Sequence, residues 1–344
     1  MGLTTYIIRR LLLIIPVILG VVILIFAIST LIPVRNRAML YITSPRQLDR
    51  IDEIIEKYHL NDPVYIQFGI WLNELLHGNL GWSQSNRPPK PVAECIITKF
   101  PATFELVMFA IPITIFLGIY LGVISAIHKD TIVDHITRFF AIIGWSLPSF
   151  WLAILLIAIF YVDLGWFLAP GRVSNPQLLA TTGFHSITGI YTIDGILNGR
   201  LDVTIDALRH IVMPVTVLVV IQVALFIRVM RSSMLEALAK GYIITARAKG
   251  LKEKEVINRH ARRNALIPVV TLAGLMVAGM ITGVVITETV FGVHGLGQWA
   301  ANAAVNTDVP SVLGFAMFTA IVFVLANLIV DILYAYLDPR IRLD

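Results

Sequence analysis

Six stretches of this chain run for at least 17 residues without an Asp, Glu, Lys, Arg or His: Leu11–Pro33, Leu106–Ile127, Phe139–Val162, Ile211–Ile227, Ala265–Thr287 and Val309–Val330. The hydrocarbon of a bilayer takes roughly 20 apolar residues per helix, with a range of about 17–25. Every run falls in that window, the fourth at its lower limit. Backbone in lipid has no water to bond to, so each run is read as a helix that satisfies its own N–H and C=O groups. A membrane β-barrel would show shorter segments that alternate polar and apolar residues, and these do not. The chain is 57% hydrophobic and 14% charged, against ~25% charged in an average soluble domain. The fold class expected is an all-α integral membrane protein with six transmembrane helices.

The first run follows Arg9 and Arg10. It is longer than a signal-peptide core of about 7–15 residues, so it is read as a retained span. Cys95 is the only cysteine, which excludes an internal disulfide and a thiol metal cluster. No pair of the eight histidines has the helical spacing of a zinc site. The domain reading is an N-terminal span (1–33), an extracellular loop domain (34–100), a five-helix core (101–337) and a short tail (338–344).

Six spans place both termini on one side. That side would hold Arg9, Arg10, Lys129, Arg138, Arg340, Arg342 and the ten Lys/Arg between Arg228 and Arg263, which is 16 of the 27 basic residues. Positive charge near span ends favours the cytosol, so both termini are expected there, in a multi-pass protein of the cell membrane. The fourth span is short and ends in Arg228 and Arg231, which suggests a protein interface instead of lipid.

The first outer loop carries two helical signals. "SPRQLDRIDEIIEKYHL" has apolar residues at helical spacing, Leu48, Ile51, Ile54 and Ile55. "DPVYIQFGIWLNELLHGNLG" opens on Asp62-Pro63, read as an N-cap and an N1 proline, and closes at Gly78. These short helices either cap the span ends or dock an external partner. In the third outer loop Glu288 lies just beyond the fifth run. It is either a solvated carboxylate at a helix end, or a group that lines the path or pins a re-entrant loop. Gly295 and Gly297 accompany it as candidates for an outer gate.

Between the fourth and fifth runs lies "TARAKGLKEKEVINRHARRN", Thr245–Asn264. Ala246, Ala248 and Gly250 are small enough for close approach to another surface. Gly250 can take the left-handed conformation that ends a helix. Lys252–Arg263 can then begin a second short helix at an angle. The composition by itself also fits an ordinary positive loop.

The residue order is more specific. Ala246 to Gly250, followed by a fixed interval to His260, resembles the "EAA" loop of ABC-transporter membrane subunits. That pattern is Glu-Ala-Ala, three residues, Gly, nine residues and Ile-x-Leu-Pro. Here the frame holds Ile244-Thr245-Ala246, Gly250 and His260-Ala261-Arg262-Arg263, without the Glu or the Leu-Pro. "TARAKGL…RHARRNALIPVV" is similar to the variant of peptide importers. "LNDPVYIQF…HGNLGWS", "FPATFEL", "SLPSFW", "RSSMLE", "TETVF…GLG" and "LDPRIR" extend the likeness over nearly the whole chain. The chain resembles the membrane permease of dipeptide/oligopeptide-type ABC importers. One departure is Val293-His294-Gly295, where the family usually has Trp-Pro-Gly.

The resemblance implies a type I ABC importer permease fold and a non-catalytic subunit. It also implies a second homologous permease, two cytosolic ATPase subunits that bind ATP and Mg, and an extracellular substrate-binding protein. The substrate it implies is a short peptide. Membrane lipid is the surrounding medium, and nothing points to nucleic acid. Thr245, Ala246, Arg247, Ala248, Lys249, Gly250, Leu251, His260 and Arg263 would form the ATPase-coupling loop, within 241–264. No G-x-x-x-x-G-K-[ST] loop occurs in this chain. Relatives also carry oligosaccharides, glutathione or nickel chelates. Two other classes are an ion-coupled secondary transporter, disfavoured by the absence of ionisable residues within the runs, and an intramembrane enzyme, for which Ser146 and Ser149 lack a His or Asp partner within any run.

Overall fold

The computed structural model describes residues 3–85, 88–175, 179 and 184–337. Five helices are long and apolar enough to cross a membrane: Ile8–Thr30, Val92–Ile127, Leu201–Leu238, Glu253–Ile281 and Val309–Leu333. Ile132–Ser146 and Ser149–Asp163, bent by 102° at a short break, make a sixth crossing when the pair is taken as one span. They are spans one to six in chain order, the bent pair being span three.

The third run is therefore not the single helix expected. Pro148 has no N–H to continue the ladder, and its ring pushes the preceding residue out of the helical region. Leu147 is extended accordingly, at φ −78° and ψ 128°. The fourth span is also not short. Its helix runs from Leu201 to Leu238, 38 residues. Both ends extend beyond the uncharged run, with Val203, Ala207, Met234 and Ala237 buried and Asp202, Arg209, Arg228 and Glu236 exposed. Span two starts at Val92, so the boundary drawn at residue 100 falls inside a helix.

Span four is the central post of the molecule. Phe226, Met230 and Met234 are fully buried in the main apolar cluster, together with Leu106 of span two and Val269 of span five. This chain's own helices cover one face of it, while Ile205, Leu208, Val212 and Thr216 remain exposed along the other. Span two reaches it through Gly118 and Gly122, one turn apart. A Cβ at Gly122 would lie 2.6 Å from Met230 Cβ, and one at Gly118 would collide with Phe226. Small residues allow helices in lipid to approach this closely, where dispersion contacts hold them.

At one end of this post sits a buried ion pair. Asp134, at the start of span three, is fully buried. Arg231 of span four donates to it through Nε and Nη2, each at 2.7 Å. Ser125 of span two and the Asp130 backbone N–H add bonds of 2.5 and 3.1 Å. One carboxylate thus ties three spans together. Spans one and six meet through Arg10 and Asp331, 2.8 Å apart.

At the opposite end lies the loop between spans one and two. Its helix Ile51–Lys57 buries Ile51 and Ile54 against Ala38, Ile42 and Leu60. Its second helix, Val64–Leu76, sets Phe68 and Trp71 against Phe26 of span one, with ring centroids 5.1 and 5.5 Å apart. The cap is displaced by one residue from the expectation. Pro63 is the cap position, and the Asp62 carboxylate turns to His59 Nδ1 at 2.8 Å. Most of "LDPRIR" and the tail 338–344 lie outside the described residues.

Removing one member of the Asp134 pair leaves a buried charge, which costs about 3–5 kcal/mol. Arg231→Met should therefore lower unfolding stability in detergent by about that amount. Asp134→Asn combined with Arg231→Met should recover much of the loss. Equal losses in the single and double variants would show that the pair contributes no charge-specific term.

Candidate functional site

Two places on this scaffold draw together the residues singled out in the sequence. The first is the turn between spans four and five. A helix Gly241–Ala248 follows span four and buries Ile243 and Ala246 in the same cluster as Val256 and Ala261. Gly250 has φ +78°. Its N–H bonds Arg247 O at 2.9 Å, and Leu251 N–H bonds Ala246 O at 3.4 Å. This pair of bonds is the Schellman ending of a helix. Leu251 packs back onto the apolar cluster, so both ends of the turn are anchored.

Beyond Gly250 there is no separate short helix. Glu253–Glu255, a π-helical turn at Val256–Ala261 and Arg262–Ile281 form one continuous stretch. The turn on Gly250 leads directly into span five. Such π turns are rare and frequent at functional positions. Arg247 donates to both Glu253 oxygens, at 2.6 and 3.0 Å, and closes the turn from outside. These bonds hold the Arg247 guanidinium further above its ordinary pKa, against a smaller opposing effect of desolvation. Both partners are about half exposed, so the pair fixes geometry more than it adds stability.

The tip is open. Thr245, Ala248, Lys249 and Gly250 are exposed, as are Arg262 and Arg263, while His260 is half-buried. Lys249, Lys252, Arg262 and Arg263 have no ion-pair partner among the described residues. A Cβ on Gly250 would meet nothing within 4 Å. The turn thus presents a small, positively charged knob whose shape does not depend on packing over Gly250.

The second place is a knot at the far end of span five. The helix stops at Ile281, before the run itself ends, and Gly283 takes φ +120°. A short helix Val285–Val290 carries Glu288. Glu288 is fully buried, which overturns the solvated alternative. Oε1 accepts from Thr103 Oγ1 of span two at 2.6 Å, and Oε2 from the Gln298 N–H at 2.7 Å. Thr103 Oγ1 in turn accepts from the Leu296 N–H at 2.8 Å. Gly295 lies so close that a Cβ there would be 2.5 Å from Thr103 Oγ1 and 2.6 Å from Glu288 Cδ. Gly297 crosses Gly283 at backbone contact. Glu288, Gly295 and Gly297 are thus brought together, with the carboxylate serving backbone N–H groups.

Residues 118–343 match the family described as "Binding-protein-dependent transport system inner membrane component". The chain belongs to that family. It is 39% identical over 337 residues to the dipeptide transport system permease protein of Alkalihalophilus pseudofirmus, covering 98% of this chain and 99% of that one. Identity to the dipeptide transport system permease protein of Escherichia coli is 38% over 341 residues, 98% of each chain. The oligopeptide transport system permease protein of Bacillus subtilis is 37% identical over 337 residues, 98% of this chain and 99% of that one. The fold is that of type I ABC importer permeases, and the ion-gradient and enzyme alternatives fall away. Such permeases are non-catalytic membrane subunits.

Sequence reading missed several residues that hold this binding-protein-dependent permease together. Thr103 was unremarked inside "FPATFEL". In the same motif Glu105 is buried and accepts from Arg172 at 2.7 Å and from the Thr192 N–H at 2.8 Å, while the Arg172 guanidinium lies 3.8 Å from the Tyr191 ring centroid. An acid directly before an apolar run was the available signal.

Truncating a buried acceptor that serves several donors costs about 1–3 kcal/mol. Glu288→Ala should therefore speed deuterium uptake at Leu296–Gln298 by tenfold or more, with spans two and four unchanged. Unaltered exchange at those amides would show that the carboxylate does not hold the knot.

Proposed function

We propose that this chain forms half of the translocation pathway of an ATP-driven importer of short peptides, with the basic knob on the cytosolic side. The observation that carries the reading is the Gly241–Asn264 turn. It is capped by a left-handed glycine, exposed at its tip and continuous with span five. A second, homologous permease would complete the pathway, and two ATPase subunits binding ATP and Mg would receive the two knobs. An external binding protein would deliver substrate at the Glu288 end. The excess of Lys/Arg at the knob end supports its cytosolic placement. The kinship to dipeptide and oligopeptide transport permeases supports the substrate class.

In this reading the knob moves with the ATPases, and Glu253–Ile281 carries the displacement as one helix toward the Glu288 knot. The substrate class is tested by uptake into vesicles holding the complete importer and its binding protein. Di- and tripeptides should be accumulated on ATP addition. Tight oligosaccharide, glutathione or nickel-chelate binding by the binding protein, with no peptide binding, would overturn the peptide assignment.

The coupling role is tested at Gly250. Open space around it means that a side chain there is penalised within the chain only by its backbone angle, about 1–2 kcal/mol. Asn tolerates positive φ far better than Val. Gly250→Val and Gly250→Asn should both express and insert normally, and both should lose most ATP-dependent uptake, because each adds bulk at the partner surface. Lys254→Gln should behave as wild type. Full uptake by both glycine variants would place the coupling contact elsewhere.

A further inference from the structure

Both helix breaks border the same pocket. It has a volume of about 300 Å³ and is lined by Ser149, Leu218, Ile221, Gln222 and the segment Val284–Thr287. Ser149 follows the 102° bend of span three, and Val284–Thr287 follows the Gly283 break of span five. Irregular backbone is tolerated at membrane depth only where it is buried in protein or lines a water-filled space. Interrupted spans are also where transporters build binding sites.

Three polar side chains face this one space without a partner. Gln222 lies inside the apolar run Ile211–Ile227, and its amide makes no hydrogen bond among the described residues. Ser149 and the buried Thr287 likewise have none. Most hydroxyls in comparable positions bond back to their own helix, as Thr216 does to Val212 O at 2.8 Å and Thr289 to Val285 O at 2.8 Å. Ser149 and Thr287 have lost that option, because the residue four positions earlier lies across a helix break in each case. Thr114 and Thr319 also lack partners, so an unpaired hydroxyl alone marks nothing. Here, three unpaired groups line one open pocket, where a ligand can reach them.

We propose that Gln222, flanked by Ser149 and Thr287, is a contact point for the backbone amides of a peptide in transit. The inference rests on the reading of this chain as a peptide permease. A primary amide offers one acceptor and two donors, matching the N–H and C=O that every peptide carries whatever its side chains. A contact of this kind selects peptides as a class and leaves their sequence open. The cavity lies at the lower end of the roughly 300–1,000 Å³ range of ligand sites, which suits a short segment of backbone. A lipid chain in the same space would leave all three polar groups unmet.

The test uses the complete importer in proteoliposomes with its binding protein saturated. The probes are trialanine and its depsipeptide analogue, in which an ester oxygen replaces a backbone N–H. One hydrogen bond is worth about two- to tenfold in rate. The wild type should carry trialanine faster than the ester by that factor. Gln222→Leu should slow trialanine to the rate of the ester and erase the preference. Gln222→Asn should restore part of it. Half-saturation and basal ATP hydrolysis should stay within about twofold throughout. An unchanged preference in Gln222→Leu, with normal wild-type uptake, overturns this proposal alone. Loss of assembly or basal hydrolysis in both Gln222 variants also overturns it, since Gln222 would then be a structural residue. Failure of the wild type to carry trialanine would overturn the peptide reading, and this proposal with it.

Discussion

Lipid offers no hydrogen bonds, and that single constraint orders this molecule. Backbone must bond to itself, so the chain crosses as helices. Where a helix does break, at Leu147-Pro148 and at Gly283, the two breaks lie beside one pocket. The same constraint governs the charges. Asp134, Glu105 and Glu288 are buried, and each has two or more hydrogen bonds. Arg231 and Arg172 neutralise the first two.

Span four supplies the fixed frame. Close contacts at Gly118 and Gly122 lock it to span two, and Asp134–Arg231 locks it to span three at one end. Against that frame span five is a different kind of element. It begins in a π turn beside the Gly250 knob and ends at a glycine break beside the Glu288 knot. A rod anchored to a knob at one end and a hinge at the other suits the transmission of a displacement. The Gln222 pocket lies against that break, so a shift of span five would reshape it.

Much of this was legible in the residues. Apolar runs gave six crossings because hydrophobicity acts over whole spans, and Gly250 stood out because few other residues tolerate its backbone angle. Helix lengths were less legible. The ends of span four carry charge and stay helical with only one face buried, as Val203, Thr204, Ala207 and His210 show in "LDVTIDALRH", and a run defined by the absence of charge stops short of them. The bend in span three was signalled by Pro148 and overlooked, since an apolar run masks its own interruption. Contacts such as Thr103–Glu288, 185 residues apart, depend on how the spans assemble and leave no local trace. The same holds for Gln222, which looks like an isolated polar residue until the two breaks are seen beside it.

In the proposed importer the Gly250 turn is the surface on which ATP hydrolysis acts. In a Cys95→Ala background, a cysteine at Ala248 or Lys249 can be cross-linked in the assembled importer with and without nucleotide. Both positions should link to an ATPase subunit, with a yield that changes on ATP binding. A cysteine at Tyr65, exposed in the first loop, should link to no ATPase. ATPase linkage from Tyr65, or none from Ala248 and Lys249 in a complex that still transports, would contradict both the sidedness and the coupling role.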